Sequence, residues 1–254
     1  MDALILCGGF AKRLEPLTLF VPKPLLPIGG KPLIDYIVDD VEKSGVNRVI
    51  VSTNKKFANQ FAYWRDNKMA SDPKHNIELV VEPTVHDGHK FGAIRGIEYA
   101  IEQTGLDDDL LIISGDNFYN FSLDAMLAYF REKRNPTICA HDIGSEDEAK
   151  RFGVIKMEDN VVVEFEEKPA EPKSTIVSTG IYVMPKEIVS QSSEHNTFKE
   201  YLKGGNSPDA PGYFMQWLVK NLEVHAIVYR EEWFDIGTID TYSKVFSKYQ
   251  SNET

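Results

Sequence analysis

Arg13 and Lys23 are cations that follow a pair of glycines and sit among prolines. Gly8-Gly9 let the backbone turn tightly and approach a ligand with no Cβ in the way. Exposed N–H groups followed by fixed cations make a place for a polyphosphate. Lys12-Arg13 brings the first charges, and Lys23 stands between Pro22 and Pro24. Pro16 and Pro27 stiffen the rest of the loop. A stiff loop holding Arg13 and Lys23 is preorganised to receive charge. The spacing is neither that of a P-loop nor the G-x-G-x-x-G of a dinucleotide site. A plain strand-to-loop connection carrying surface lysines is the alternative reading.

A second group lies at Gly115-Asp116-Asn117, directly after the apolar run Leu110 to Ser114. A carboxylate at a strand end beside a polyphosphate loop is what Mg²⁺ needs, since that ion binds one or two carboxylates together with phosphate oxygens. A simple Asp turn is the competing reading. Asp235, in Trp233-Phe234-Asp235-Ile236-Gly237-Thr238, is a distant partner or else a capping residue for the helix that follows. His86 and His89 read as loop histidines, because no third ligand stands at metal-binding spacing. Cys7 and Cys139 sit in apolar runs and read as buried thiols.

The elements that must position these groups alternate. Ala3 to Cys7 is a short apolar run suited to a strand covered on both faces. Pro32 to Lys43 reads as a helix, Asn47 to Thr53 as a strand, Phe57 to Lys68 as a helix and Ile77 to Glu82 as a strand. Lys90 to Gln103 is a helix and Leu110 to Ser114 a fourth strand. Strand-helix alternation argues for a parallel sheet with right-handed crossovers. Ligands of such sheets bind beyond the carboxyl ends of the strands, where Gly8-Gly9, Glu82-Pro83 and Gly115-Asp116 all fall. Farther on, Thr137 to Asp142, Phe152 to Met157, Val161 to Glu166 and Ser174 to Met184 read as strands, with a hairpin at Asp159-Asn160. Pro211 to Asn221 is helical, Glu223 to Tyr229 is a strand, and Thr238 to Tyr249 is a closing helix with Thr238 as its N-cap.

The stretch GGFAKRLEPLT…PKPLLPIGGKP resembles the N-terminal motif of sugar-1-phosphate nucleotidyltransferases, the glucose-1-phosphate thymidylyltransferase and UTP–glucose-1-phosphate uridylyltransferase group. Arg13, Leu14, Pro16, Leu17, Thr18, Pro22, Lys23, Pro24 and Lys31-Pro32 match, while Ala11 and Lys12 stand where the family usually has Gly and Thr. The resemblance implies a Rossmann-like, mostly parallel mixed sheet flanked by helices, without a C-terminal left-handed β-helix. It implies one domain over 1–254, with a nucleotide half over roughly 1–120 and a sugar-phosphate half over roughly 121–254. Carried over position by position, Arg13, Lys23, Asp116 and Lys168 become the catalytic set, and Asp116 with Asp235 the Mg²⁺ ligands. Leu6, Gly8, Gly9, Glu82, Pro83, Gly88, Gly92 and Asn117 fall at the nucleotide. Gly153, Glu167, Lys168, Thr179 and Gly180 fall at the sugar phosphate. The base-reading segment, Glu82 to Ala93, departs from the family pattern, with Gly88 shifted in register and no obvious reader of a pyrimidine edge.

The expected partners are a nucleoside triphosphate and a sugar-1-phosphate, with dTTP or UTP and glucose-1-phosphate favoured. A CTP-, GTP- or phosphocholine-type transferase of the same family and a noncatalytic sugar-nucleotide-binding subunit are the alternatives. A net charge of −11 over 254 residues argues against nonspecific binding to nucleic acid, so local cations must meet an anionic substrate. No run of about 18 apolar residues occurs, and MDALILCGG has no basic leader region, so a cytoplasmic protein is expected. The resemblance makes a homo-oligomer plausible.

Overall fold

In the computed structural model, residues 1–190 and 196–250 are described, apart from the side chain of His89. The first half is built as the alternation predicts. β1 (Asp2–Cys7) leads through a loop carrying the short strands β2 (Pro27–Ile28) and β3 (Lys31–Pro32) to α1 (Leu33–Lys43). There follow β4 (Val49–Asn54), α2 (Ala58–Ser71), β5 (Ile77–Glu82), α3 (Ala93–Thr104) and β6 (Leu110–Ser114). The third helix starts at Ala93 rather than Lys90, because Asp87–His89 forms a separate 3₁₀ turn capped by Lys90 and Gly92, at the non-helical φ of 79°, is the N-cap.

The second half adds β7 (Asn117–Tyr119), α4 (Asp124–Lys133), β8 (Thr137–Asp142), α5 (Glu146–Ala149), β9 (Gly153–Glu158), β10 (Val161–Glu167) and β11 (Ile176–Met184). It closes with α6 (Lys186–Val189), α7 (Thr197–Lys203), α8 (Pro211–Asn221), β12 (His225–Tyr229), β13 (Trp233–Asp235) and α9 (Ile239–Gln250). Thr238 caps α9, its Oγ1 accepting the Thr241 N–H at 3.2 Å. Asp159 turns the β9–β10 hairpin at φ 52°.

Nine strands form one sheet in the order β5-β4-β1-β6-β11-β8-β12-β10-β9. The first four are parallel, and β11 enters antiparallel to both β6 and β8. The sheet is therefore mixed, and it runs unbroken from one half of the chain to the other. Alternate residues of the central strands bury opposite faces. Ala3, Ile5, Val49, Val51, Leu111 and Ile113 pack under α1, α2 and α4. Leu4, Ile50, Leu110 and Ile112 pack under α3, α7 and α8.

A third apolar cluster positions the chemistry. Leu14, Leu26, Ile28, Phe118, Ile236 and Val245 are buried together beneath α9. Leu14 follows Arg13, Ile236 follows Asp235, and Phe118 lies two residues after Asp116. One interlocked knot thus fixes three distant segments at the same place.

One carboxylate on α1 works against this packing. Burial pushes Asp40 up to about 6, with Asp124 adding repulsion while Tyr119, Lys43 and the Leu123 N–H act the other way. The folded state holds the proton more tightly than the unfolded chain does, so stability falls as pH rises from about 4 to about 6. Asp40→Asn is expected to flatten that slope and add about 1–2 kcal/mol at pH 7, as read from urea midpoints across the range.

Candidate active site

The loop after β1 wraps the carboxyl edge of the sheet. Asn54, at the end of β4, donates from Nδ2 to the Gly8 carbonyl at 3.0 Å and pins the glycine pair. The Gly115 N–H donates to the Leu6 carbonyl at 2.9 Å. A Cβ at Gly115 would lie 2.6 Å from the Cys7 sulfur, so the turn after β6 must be glycine. Farther along, Ala11 is left-handed at φ 48°, and its carbonyl accepts the Thr18 hydroxyl at 2.9 Å. The backbone accounts for the glycine expected at that position from the resemblance: a left-handed residue there costs an alanine more than a glycine.

Arg13 follows on the same turn, and the two ends of the chain meet there. A Cβ on Gly237 would lie 3.2 Å from Asp235 Oδ2 and 3.3 Å from an Arg13 guanidinium nitrogen. Asp235 itself is set by sheet pairing, since β13 runs antiparallel to β7 and places Asp235 opposite Asn117. The Ile236 N–H donates to the Asp116 carbonyl at 3.1 Å. Asn117 is buried and braced: its Oδ1 accepts the Trp233 indole N–H at 2.7 Å, and its Nδ2 donates to the Ser114 carbonyl at 3.1 Å. Lys23 crosses the cleft to Asp116, Nζ to Oδ2 at 2.7 Å, with its side chain only 12% exposed.

Asp235 carries the electrostatic signature of the site. Burial pushes its pKa up first and the nearby Asp116 second, while Lys23, Arg13 and Arg151 pull it down. Two carboxylates that repel each other in a half-buried hollow, with phosphate-binding cations around them, fit a divalent cation.

Arg13, Lys23 and Asp116 border a cleft of about 430 Å³, while Asp235, beside Arg13, and Asn117 lie outside its lining. Leu6, Gly8, Gly9, Arg13, Lys23, Glu82, Gly92 and Asp116 all line it, joined by Lys12, Asp87, Lys90, Asp209 and Pro211. Pro83, next to Glu82 in sequence, is exposed and is not part of the lining. Gly88 borders an adjoining hollow with Phe10, Lys56 and His86. The side chain of His89 lies outside the described residues.

Of the residues assigned to the sugar phosphate, Gly153 and Lys168 lie at Glu167, while Thr179 and Gly180 stand on β11 against β8 and β6. A Cβ at Gly153 would lie 3.0 Å from Glu167 Oε2, and one at Gly212 would lie 1.7 Å from it. Burial raises the Glu167 pKa, and Lys168 lowers it. Lys168 is left-handed at φ 50°, donates its N–H to the Phe152 carbonyl at 2.9 Å and leaves its ammonium exposed. Gly180, at φ 80°, comes so close to β6 that a Cβ would lie 2.8 Å from the Ser114 hydroxyl. Thr179 is buried, its hydroxyl engaged by the Cys139 carbonyl at 2.8 Å, which makes it a brace of β11 against β8. Sequence reasoning missed Asn54, Ser52, Gly96 and Gly212 as parts of the site. Gly96 carried a signal, since a glycine inside a helix costs about 1 kcal/mol and calls for a close approach.

A family model described as nucleotidyl transferase matches residues 2–252. A glucose-1-phosphate adenylyltransferase of Mycoplasma mobile is 32% identical over 253 residues, covering 95% of this chain and 65% of that protein. A D-glycero-α-D-manno-heptose 1-phosphate guanylyltransferase of Campylobacter jejuni is 26% identical over 247 residues, covering 95% of this chain and 97% of that one. Other curated relatives are longer, and the chain spans 41–64% of their length. A crystal structure of UDP-glucose pyrophosphorylase with UDP-glucose superposes with a TM-score of 0.81 at 19% identity, covering 99% of both chains, and shares the fold.

Proposed function

The chain belongs to the nucleotidyl transferase family, and from that premise we propose that it joins a nucleoside triphosphate to a sugar-1-phosphate, releasing pyrophosphate. Arg13, Lys23 and Asp116 line one cleft, Asp235 stands beside Arg13 and near Asp116, and that convergence carries the reading. An oxygen of the sugar phosphate attacks the α-phosphorus in line. A new O–P bond forms, the bond from the α-phosphorus to the bridging oxygen breaks, and pyrophosphate leaves with the electron pair. No covalent enzyme intermediate is needed, so buried Cys7 and Cys139 have no part in the chemistry.

The obstacle is the approach of two anions. Arg13 neutralises the triphosphate as charge builds at the α-phosphorus, and Lys23 moves from Asp116 onto a phosphate oxygen. The Lys168 ammonium receives the attacking phosphate, and Glu167, between Gly153 and Gly212, accepts from sugar hydroxyls. Asp116 and Asp235 would hold Mg²⁺, which supplies Lewis-acid charge to the phosphates when bound. Glucose-1-phosphate is the sugar phosphate favoured by the motif, and the Mycoplasma mobile relative's name contains the same sugar phosphate.

Pyrophosphate release, followed across a panel of triphosphates and sugar-1-phosphates with and without Mg²⁺, tests the proposal. Release that requires both substrates and the metal is the expected result. Binding of a sugar nucleotide with no release from any pair would favour a noncatalytic subunit.

A further inference from the structure

The cleft contains a buried carboxylate for which phosphate transfer has no use. Glu82 ends β5 with 7% of its surface exposed, yet it lines the same hollow as Gly8, Gly9 and Arg13. Its Oε1 accepts the Ser52 hydroxyl at 2.9 Å, and no hydrogen bond reaches its Oε2 among the described residues. Both glycines beside it make room for the carboxylate. A Cβ at Gly8 would lie 2.8 Å from Oε1, and one at Gly96 would lie 2.9 Å from it. The fold therefore builds a seat for this side chain at the floor of the cleft.

A buried carboxylate repels a triphosphate, so it must face an uncharged part of the nucleotide. It also lies on the β5 side of the sheet, three strands from β6, where Asp116 follows. Phosphates held at Arg13 and Lys23 leave the nucleobase to extend toward it. An ionised carboxylate can only accept hydrogen bonds. Guanine presents two adjacent donors, N1–H and the N2 amino group. Uracil and thymine present one N–H flanked by carbonyl oxygens, and adenine and cytosine present an amino group beside a bare ring nitrogen. On each of the last four, one acceptor would face another across a water-poor contact.

We propose that Glu82, anchored by Ser52, reads the donor edge of guanine, and that the triphosphate this chain uses is GTP. The inference rests on the nucleotidyl-transfer reading above and replaces dTTP or UTP, which the motif alone suggests. Burial raises the pKa of Glu82 and the Ser52 hydroxyl offsets only part of that rise; two donors facing the carboxylate would favour its accepting, ionised form.

Two measurements test it. Titration calorimetry with GTP, ATP, CTP, UTP and dTTP, without sugar phosphate, reads base preference independently of turnover. A competition among the five triphosphates with glucose-1-phosphate and mannose-1-phosphate, with products identified by mass spectrometry, reads it in catalysis. GTP is expected to be preferred by about 10-fold or more over each rival, the scale of one well-made donor–acceptor pair. Glu82→Gln offers a donor beside an acceptor, and is expected to lower GTP use by about 10- to 100-fold while raising UTP or dTTP relative to it. A wild-type preference for another base, or a Glu82→Gln loss equal for all five, overturns the proposal. GTP-selective binding without turnover would uphold it while refuting nucleotidyl transfer.

Discussion

Arg13→Ala is expected to lower turnover by about 10²-fold or more, with a smaller change in the KM of the sugar phosphate. The guanidinium is held where Asp235 and Gly237 meet the 3₁₀ turn, and Leu14 beside it is fully packed beneath α9. Its charge therefore reaches the reacting phosphate without first having to be ordered, and such preorganised donors act most strongly at the transition state. The side chain is not part of the apolar knot, so the variant should keep its urea midpoint. Arg13→Lys is the informative companion. It restores charge but not the planar fork, and should recover only part of the lost rate. Steady-state pyrophosphate release checks both variants, and near-normal turnover in Arg13→Ala would remove Arg13 from the chemistry.

Neutralising the carboxylate pair should cost as much. Asp116→Asn retains an oxygen for Lys23 to donate to, so the ion pair becomes a neutral hydrogen bond rather than leaving Lys23 alone in a half-buried site. Asp235→Asn keeps the β13–β7 pairing, which uses backbone groups. Each substitution relieves the repulsion that raises Asp235, so neither should unfold the chain. Each should lower turnover by about 10²-fold or more and raise the Mg²⁺ concentration needed for half-maximal rate, because a hard cation loses a charged oxygen ligand. The double variant should be little worse than either single one, since both act through one ion. Unchanged Mg²⁺ dependence in both single variants would rule out the pair as its ligands.

Local chemistry made much of this architecture readable in the residues. Val- and Ile-rich runs marked the nine strands of the main sheet to within a residue or two, because a strand covered on both faces has little choice of composition, whereas the short strands β2, β3, β7 and β13 were not read. Thr238 was legible as a cap for the same local reason. The antiparallel entry of β11 was not, because strand direction depends on pairing with β6 and β8, each more than thirty residues away in sequence. Nor was α4 read, although Met126, Leu127 and Phe130 are buried at helical spacing. Lys23 and Asp116 were each picked out, yet their contact spans 93 residues and is set by the sheet. The seat of Glu82 needed more still. It follows from parallel β4–β5 register together with two glycines, one on the β1 loop and one on α3. Departures from the motif at Ala11 and Glu82 marked places where the surroundings had to be known before the residue could be interpreted.

The most direct measurement is the fate of oxygen. Sugar-1-phosphate carrying ¹⁸O in its phosphate, incubated with triphosphate, Mg²⁺ and this protein, should give a nucleoside diphosphate sugar with every labelled oxygen retained, the attacking one now bridging the two phosphorus atoms, and unlabelled pyrophosphate. Label in the pyrophosphate, or no sugar nucleotide from any triphosphate offered, would contradict attack by the sugar phosphate on the α-phosphorus.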